Sequence, residues 1–176
     1  MVGPMKAEDA WEASSPTYPF GTNLALVEVD LDTGRVELLR LIGCDDAGTI
    51  LNPLLFEGQL HGGMASGVAQ ALLEEIIYSE DGNPLTSNFA DYAAISATEL
   101  PSFELVHMET PTPINELGAK GIGESGTVGA TPCVINAVVD ALSYLGVEHV
   151  DMPASPQRVW AALQAQGPQA QQAVTV

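Results

Sequence analysis

Four glycines in the first half of a predicted helix constrain this fold more than any other feature of the sequence. Strong helix formers and apolar residues at helical spacing predict one long helix from about Phe56 to Tyr78. The glycines are Gly58, Gly62, Gly63 and Gly67. Each costs roughly 1 kcal/mol relative to alanine inside a helix. We therefore expect another backbone or a ligand to lie close to this half of the helix, where glycine leaves the backbone bare.

The remaining pattern predicts one α+β unit. Two extended apolar runs, Thr22–Asp30 and Arg35–Ile42, flank a turn that ends in Asp-Thr-Gly, which is typical of a β-hairpin. The later predictions are a loop from Asp45 to Pro53, a turn from Ser79 to Pro84, a strand at Phe103–Glu109, a helix at about Thr127–Leu145, a short strand at Val147–Asp151 and a last helix from Pro156 to Leu163 capped by Ser155. The fold class is a single mixed domain with an N-terminal β-hairpin and two long helices.

Composition limits the class of partner. The 176 residues carry 23 acidic and 5 basic side chains, for a formal charge of −18, and 46% of the residues are hydrophobic. That is enough apolar material for one folded domain, predicted at 18–166, between an N-terminal arm at 1–17 and a disordered tail at 167–176. Binding to nucleic acid or anionic lipid is disfavoured, because both depend on Lys and Arg.

Cysteine usage and the chain's start point to a cytoplasmic protein. Cys44 and Cys133 lie far apart, without metal-ligand spacing, and are interpreted as buried reduced thiols. The first residues have no apolar core of a signal peptide, and no apolar run reaches the ~20 residues of a membrane span. The acidic pair Asp45 and Asp46 is interpreted as a solvated turn, because the loop lacks the alternating acids of a calcium site.

The segment Gly118–Gly126 is the strongest candidate site. It predicts a loop of exposed backbone N–H groups that leads into a helix N-terminus, an arrangement that suits an oxyanion. Lys120 adds a cation, and Glu124 could face the same pocket. The alternative is structural: Glu124 or Ser125 caps the helix and the glycines only form the turn. The segment matches neither a Walker loop nor a dinucleotide fingerprint.

A second candidate segment, Glu57–Gly67, lies in the glycine-bearing helix. Gln59 offers an amide donor and acceptor beside bare backbone. His61 has no second ligand at metal spacing and is interpreted as a packed or solvated residue.

The order of these motifs resembles the large subunits of molybdenum hydroxylases, which are the xanthine dehydrogenase, aldehyde oxidase and aerobic carbon monoxide dehydrogenase relatives. The carbon-monoxide-dehydrogenase-type branch is the most similar. The motifs are Tyr18-Pro19-Phe20-Gly21, Val27-Glu28-Val29-Asp30, Asn52-Pro53, Glu57 to Gly63, Pro113 to Gly118, Lys120-Gly121-Ile122-Gly123-Glu124, Met152-Pro153, Pro156 and Arg158-Val159-Trp160. They extend over about residues 18–165.

The resemblance implies a function for the glycine segment, within a larger molybdopterin-binding domain. Glu124 would be the general base beside molybdenum, and no residue of this chain would ligate a metal. The residues that would contact the cofactor, molybdopterin cytosine dinucleotide, are Gln59, Lys120, Gly121, Ile122 and Gly123. The reaction would oxidise or hydroxylate carbon monoxide, an aldehyde or an N-heterocycle. Electrons would leave through iron–sulfur clusters and FAD on partner subunits.

The resemblance covers only the last part of a longer subunit. We therefore expect a fragment, a truncated frame or one piece of a split subunit, inactive without the remaining part of the molybdenum subunit, the iron–sulfur subunit and the flavin subunit. Neither cysteine lies in a context that matches a copper-ligating cysteine. Two other interpretations stay open: a non-catalytic scaffold with Glu124 as a helix cap, and a phosphate-binding domain that uses the glycine loop.

Overall fold

Three strands and three helices form the part of the chain described by a computed structural model, residues 5–167. In chain order they are β1 (Phe20–Val29), β2 (Val36–Asp46), α1 (Pro53–Leu72), β3 (Glu104–Met108), α2 (Ser125–Ser143) and α3 (Pro156–Ala165). The predicted α+β class, with its hairpin and two long helices, is confirmed. Apart from Gly167, the tail predicted to be disordered lies outside the described residues, as do the first four residues of the arm. Within residues 5–167, no helix is long and apolar enough to cross a membrane.

The predicted hairpin forms the first two strands of a mixed sheet in the order β1-β2-β3. Strand β1 pairs antiparallel with β2, and β3 pairs parallel with β2. In the hairpin turn, Asp30 Oδ1 accepts hydrogen bonds from the backbone N–H groups of Asp32 (3.0 Å) and Thr33 (2.9 Å). Gly34 completes the turn with a φ of +73°, which favours glycine.

Strand β2 extends four residues beyond the predicted hairpin. Strand β3 pairs with the last five residues of β2, Ile42–Asp46, and so keeps them extended. Asp45 and Asp46 are therefore part of the sheet, and each is only 1% exposed. The interpretation of this acidic pair as a solvated turn was wrong. A parallel partner supplied some sixty residues later leaves no trace in the local sequence pattern.

Helices α1 and α2 cross where both carry glycine. A Cβ added at Gly67 would lie 2.8 Å from the Cβ of Ala130, and one added at Gly126 would lie 2.8 Å from the carbonyl oxygen of Leu60. The hydroxyl of Thr127 donates to the carbonyl oxygen of Gly63 (2.9 Å) across the same contact. The predicted close approach of a second backbone is thus confirmed at Gly63 and Gly67. Added Cβ atoms at Gly58 and Gly62 would meet no other atom of residues 5–167 within 4 Å.

The core is built around α2. One cluster packs α1 and the first half of α2 against the sheet, through Leu41, Met64, Val68, Ala130 and Val134. A second cluster joins the C-terminal half of α2 to α3, through Val138, Leu142, Val147, Val159 and Leu163. The N-terminus of α2 is consequently held beside the end of β2.

Helix α1 ends at Leu72, six residues before the predicted end. The backbone N–H groups of Leu73 and Glu74 both donate to the carbonyl oxygen of Ala69. Beyond them, Ile77 makes one strand-type hydrogen bond, in which its carbonyl accepts from Leu85 N–H (2.7 Å), and its N–H donates to the side-chain Oγ1 of Thr86 (3.1 Å). The β-branched pair Ile76-Ile77 favours this extended form. The turn predicted at Ser79–Pro84 lies between these bonds and is confirmed.

The C-terminal elements follow the prediction with one exception. Helix α2 begins at Ser125, two residues before the predicted start, and α3 begins at Pro156 after Ser155, whose side chain makes no capping hydrogen bond. The predicted strand at Val147–Asp151 was wrong, because this segment pairs with no strand among residues 5–167. Val147 and Val150 instead bury their side chains in the cluster around α2.

Candidate functional site

The first part of the glycine segment is fixed to the loop after β2. Lys120 N–H donates to the carbonyl oxygen of Ala47 (2.8 Å), and Thr49 N–H donates to that of Gly118 (3.0 Å). The amide of Asn115 closes the turn by donating to the carbonyl oxygen of Ala119 (2.8 Å). The backbone groups of residues 118–120 that make these bonds are therefore already hydrogen-bonded within the protein.

Lys120 is held by a buried acid. Its Nζ lies 3.0 Å from Asp46 Oδ1 and 4.3 Å from the centre of the Phe20 ring, and its side chain is 9% exposed. Burial alone would raise the pKa of Asp46, but hydrogen bonds from Thr110, Gly48 and Lys120 hold that pKa well below its ordinary value. The charge of Lys120 is compensated inside the protein, so the free cation expected from the sequence is absent at this position.

The next four residues keep their backbone donors unpaired. Among residues 5–167, the N–H groups of Gly121, Ile122, Gly123 and Glu124 have no acceptor. Ser125 N–H turns back to the carbonyl oxygen of Ile122 (3.2 Å) and starts α2. The structure therefore brings four free N–H groups to the N-terminus of a 19-residue helix, where the helix dipole also favours negative charge.

Glu124 occupies the N-cap position of α2, and its side chain is exposed. The backbone carbonyl of Glu124 accepts from Val128 N–H (3.0 Å), but the carboxylate accepts no capping hydrogen bond. Glu124 lines a cavity of about 480 Å³, together with Phe20, Gly121 and Ser125. The capping role considered as an alternative thus lacks its hydrogen bond.

Two residues that sequence reasoning missed line the same cavity, and each has a buried oxygen without a donor among residues 5–167. Asp45 accepts a hydrogen bond from the hydroxyl of Ser125, and its second oxygen, Oδ2, has no donor among residues 5–167. The buried Oδ1 of Asn23 also lacks a donor there. Asp45 and Asn23 both line the cavity that contains Glu124. Each of these residues stands opposite a glycine, Asp45 opposite Gly21 on β1 and Asn23 opposite Gly43 on β2, and this pairing is not visible in the sequence.

Gln59 lies on the other side of the glycine segment. It is on the exposed face of α1, and its Oε1 is 3.8 Å from the position of a Cβ added to Gly123. Gln59 lines a second cavity of about 230 Å³ with Lys120 and Ile122. The predicted contact residues are thus brought together around one segment but divided between its two sides.

The remaining candidates are outside this site. His61 Nδ1 is 2.8 Å from the carbonyl oxygen of Glu57, one turn earlier, and its ring faces Phe103 at 6.1 Å. Cys44 and Cys133 are free and half-buried, and burial raises the pKa of the Cys133 thiol.

Comparison with known proteins gives the family. A model described as a molybdopterin cofactor-binding domain matches residues 2–101, which is more than half of the chain. The chain belongs to the molybdopterin-binding subunits of the xanthine dehydrogenase and carbon monoxide dehydrogenase family. The matched residues include Asp45, Asp46 and Gln59 and end before the glycine segment.

Individual relatives extend the likeness to most of the chain. The carbon monoxide dehydrogenase large chain of Afipia carboxidovorans is 40% identical over 156 residues, which are 89% of this chain and 19% of that protein. The nicotine 6-hydroxylase large subunit of Paenarthrobacter nicotinovorans is 39% identical over 164 residues, 91% of this chain and 20% of that protein. A crystal structure of the Cu,Mo-CO dehydrogenase matches with a TM-score of 0.86 and 40% identity, covering 89% of this chain and 20% of that one. The chain thus spans about a fifth of the length of these relatives.

Proposed function

We propose that this chain forms part of the molybdenum-cofactor-binding large subunit of a molybdenum hydroxylase, with Glu124 as the general base. The enzyme would oxidise or hydroxylate a small substrate such as carbon monoxide, an aldehyde or an N-heterocycle. The observation that carries the proposal is the exposed carboxylate of Glu124, which makes no capping hydrogen bond, lines the cavity and directly follows three residues with free N–H groups. Relatives named carbon monoxide dehydrogenase large chain and nicotine 6-hydroxylase large subunit support this class of reaction.

The free polar groups fit a molybdopterin cytosine dinucleotide. A phosphorylated pterin carries oxyanions, which suit the N–H groups of Gly121, Ile122 and Gly123. Gln59 would add its exposed amide from α1. Lys120 would contribute its carbon chain, because its ammonium group is paired with Asp46 and its backbone N–H with the carbonyl oxygen of Ala47.

The residues of the chain have distinct roles in this proposal. The bound molybdenum centre would supply the two-electron oxidation. Glu124 would offer a carboxylate oxygen that accepts a proton from a group in the cavity. The electrons would pass to iron–sulfur and FAD subunits.

Substitution of Glu124 by glutamine tests the catalytic role. Glu124→Gln keeps the size of the side chain but cannot accept the proton. In the assembled complex purified from its native host, we expect turnover to fall by 10²- to 10⁴-fold, about 3–5 kcal/mol in the barrier. Molybdenum and pterin content should stay at the wild-type level.

Glu116→Gln is the matched control, because Glu116 is exposed in the preceding loop and does not line the 480 Å³ cavity. This variant should keep wild-type turnover. Near-normal turnover of Glu124→Gln with full metal loading would contradict the role of general base and favour the non-catalytic scaffold.

A further inference from the structure

The segment that bears Glu124 is anchored at both ends by two consecutive acids. Asp46 holds Lys120 at the start of the segment, and Asp45 holds Ser125 at its end. Between these anchors lie the four residues whose backbone N–H groups are free. We refer to Asp45 and Asp46 with their partners Ser125 and Lys120 as the aspartate clamp.

Strand geometry explains how two adjacent residues reach opposite ends of a loop. Successive side chains of a strand point to opposite faces of the sheet. Asp45 points to the face covered by α2 and meets Ser125. Asp46 points to the other face and meets Lys120, whose Nζ also lies over the ring of Phe20. The segment therefore crosses the end of β2 from one face of the sheet to the other, with one anchor on each side.

The anchors are rigid, since both acids are 1% exposed and lie in a strand that is paired on both sides. Asp46 Oδ1 also accepts from Gly48 N–H (2.8 Å) and Thr110 N–H (3.1 Å), so the carboxylate that holds Lys120 is itself fixed. Gly21 stands opposite Asp45, and a Cβ there would lie 2.7 Å from Asp45 Oδ1. A buried, hydrogen-bonded carboxylate in such surroundings has one available position.

We propose that the aspartate clamp positions Glu124. Its two buried carboxylates would hold residues 121–124 in a preformed arc before any ligand binds, so that the free N–H groups and the Glu124 carboxylate keep a constant geometry. The catalytic part of this inference rests on the proposed function of Glu124. The preformed arc does not, and it can be measured on the chain by itself.

Ser125→Ala removes one anchor, the hydroxyl that donates to the buried Asp45 carboxylate. We expect ¹⁵N relaxation of the 176-residue chain to give order parameters of about 0.85 for the Gly121, Gly123 and Glu124 amides in the wild type, and below about 0.6 in Ser125→Ala. Ser125→Thr restores a hydroxyl and should restore rigidity. Ser143→Ala, which removes a serine hydroxyl bond at the other end of α2, should leave the segment unchanged.

The second anchor gives an independent variant. Lys120→Met combined with Asp46→Asn removes the ion pair without leaving a buried charge unpaired, and it should loosen Gly121 more than Glu124. Low order parameters already in the wild type, or rigid amides in both anchor variants, would overturn the proposal.

Turnover of the assembled complex completes the test. Because small misplacement of a reacting group costs up to about a hundredfold, Ser125→Ala should lower kcat by ten- to a hundredfold with KM nearly unchanged, and Ser125→Thr should recover it. A fully active Glu124→Gln enzyme would refute the role of Glu124 as general base. The preformed geometry of residues 121–124 would then still be tested by the order parameters. An inactive Glu124→Gln enzyme together with wild-type kcat in Ser125→Ala would refute the clamp alone.

Discussion

Glycines of the same helix differ in what surrounds them. In α1, Gly67 lies against Ala130 of α2, whereas Gly62 faces open space. Glycine at the first position permits the two backbones to approach, and at the second it lowers helix propensity without a contact among residues 5–167. Sequence alone identified the glycines as a group. It could not tell which of them contact α2, because that depends on where α2 crosses α1.

Alanine at these two positions should therefore change stability in opposite directions. Gly67→Ala places a Cβ 2.8 Å from the Cβ of Ala130, and we expect a loss of about 1–3 kcal/mol in the free energy of unfolding. Gly62→Ala should gain about 0.5–1 kcal/mol, since it improves helix propensity without a new contact. Urea unfolding of both variants checks this, and a stabilised Gly67→Ala would show that the helices can move apart.

A second residue-scale prediction concerns acid stability. The folded-state pKa of Asp46 lies below its ordinary value of 3.8, so the folded chain binds this proton less readily than the unfolded chain. The resulting stability is present above about pH 4–5 and is lost as the pH falls through the acid range. Between pH 5 and pH 2, removing this group should reduce the pH slope by up to about 1.4 kcal/mol per pH unit.

The comparison for this prediction is urea unfolding as a function of pH. The Asp46→Asn, Lys120→Met double variant should show the shallower slope. Asp140→Asn, which removes an exposed acid of α2, should keep the wild-type slope. Equal slopes in the wild type and the double variant would mean that the Asp46 carboxylate has no special environment in solution.

At the scale of elements, local pattern predicted what local interactions determine. The hairpin, the strand near Phe103 and the helix before Gly146 follow from turn residues and periodicity, and the structure contains all three. The predicted end of α1 failed because Ile77 pairs with Leu85 and Thr86, which overrides the helical spacing of its apolar residues. The buried acids at the end of β2 were missed for a similar reason, since β3 and Lys120 lie far away in the chain.

The same reasoning applies to the candidate site. The glycine segment and Gln59 could be found because their residue types carry a recognisable pattern. Asp45 and Asn23 could not, since their importance comes from pairing across β1 and β2 and from the position of α2. Residues that act through tertiary contacts have no periodic signature.

Two turns that use glycine with positive φ provide an element-scale prediction. Gly34 (φ +73°) packs against α3, where an added Cβ would overlap the carbonyl oxygen of Pro156 and lie 2.8 Å from Trp160 N. For Gly82 (φ +80°), no other atom of the described residues lies within 4 Å of an added Cβ. Gly82→Ala should cost about 1–2 kcal/mol through backbone strain alone, and Gly34→Ala about 1–3 kcal/mol more through the contact with α3. Thermal unfolding should rank them in this order, and equal losses would show that the hairpin does not dock on α3.

At the scale of the whole molecule, the candidate site is open. The site residues that would contact a cofactor are all exposed: Gln59, Gly121, Gly123 and Glu124. Binding sites in proteins bury about 70–90% of the surface of a small-molecule ligand. We therefore expect the 176-residue chain, purified alone, to contain molybdenum and pterin far below one per chain. Metal analysis and pterin fluorescence measure this, with the assembled complex as the positive control. A monomeric chain with one molybdenum per protein would contradict it.

The aspartate clamp also determines where the chain can gain or lose residues without disturbing the candidate site. Its anchors on β2 lie 74 and 80 positions before their partners, and residues 73–102, between α1 and β3, contain no helix or long strand. Insertions or deletions in that stretch leave both anchors in register. One residue inserted between Asp45 and Asp46 would instead turn a carboxylate to the opposite face of the sheet and detach one end of the segment. The site thus tolerates changes in chain length across the thirty residues 73–102, but not at the peptide bond between Asp45 and Asp46.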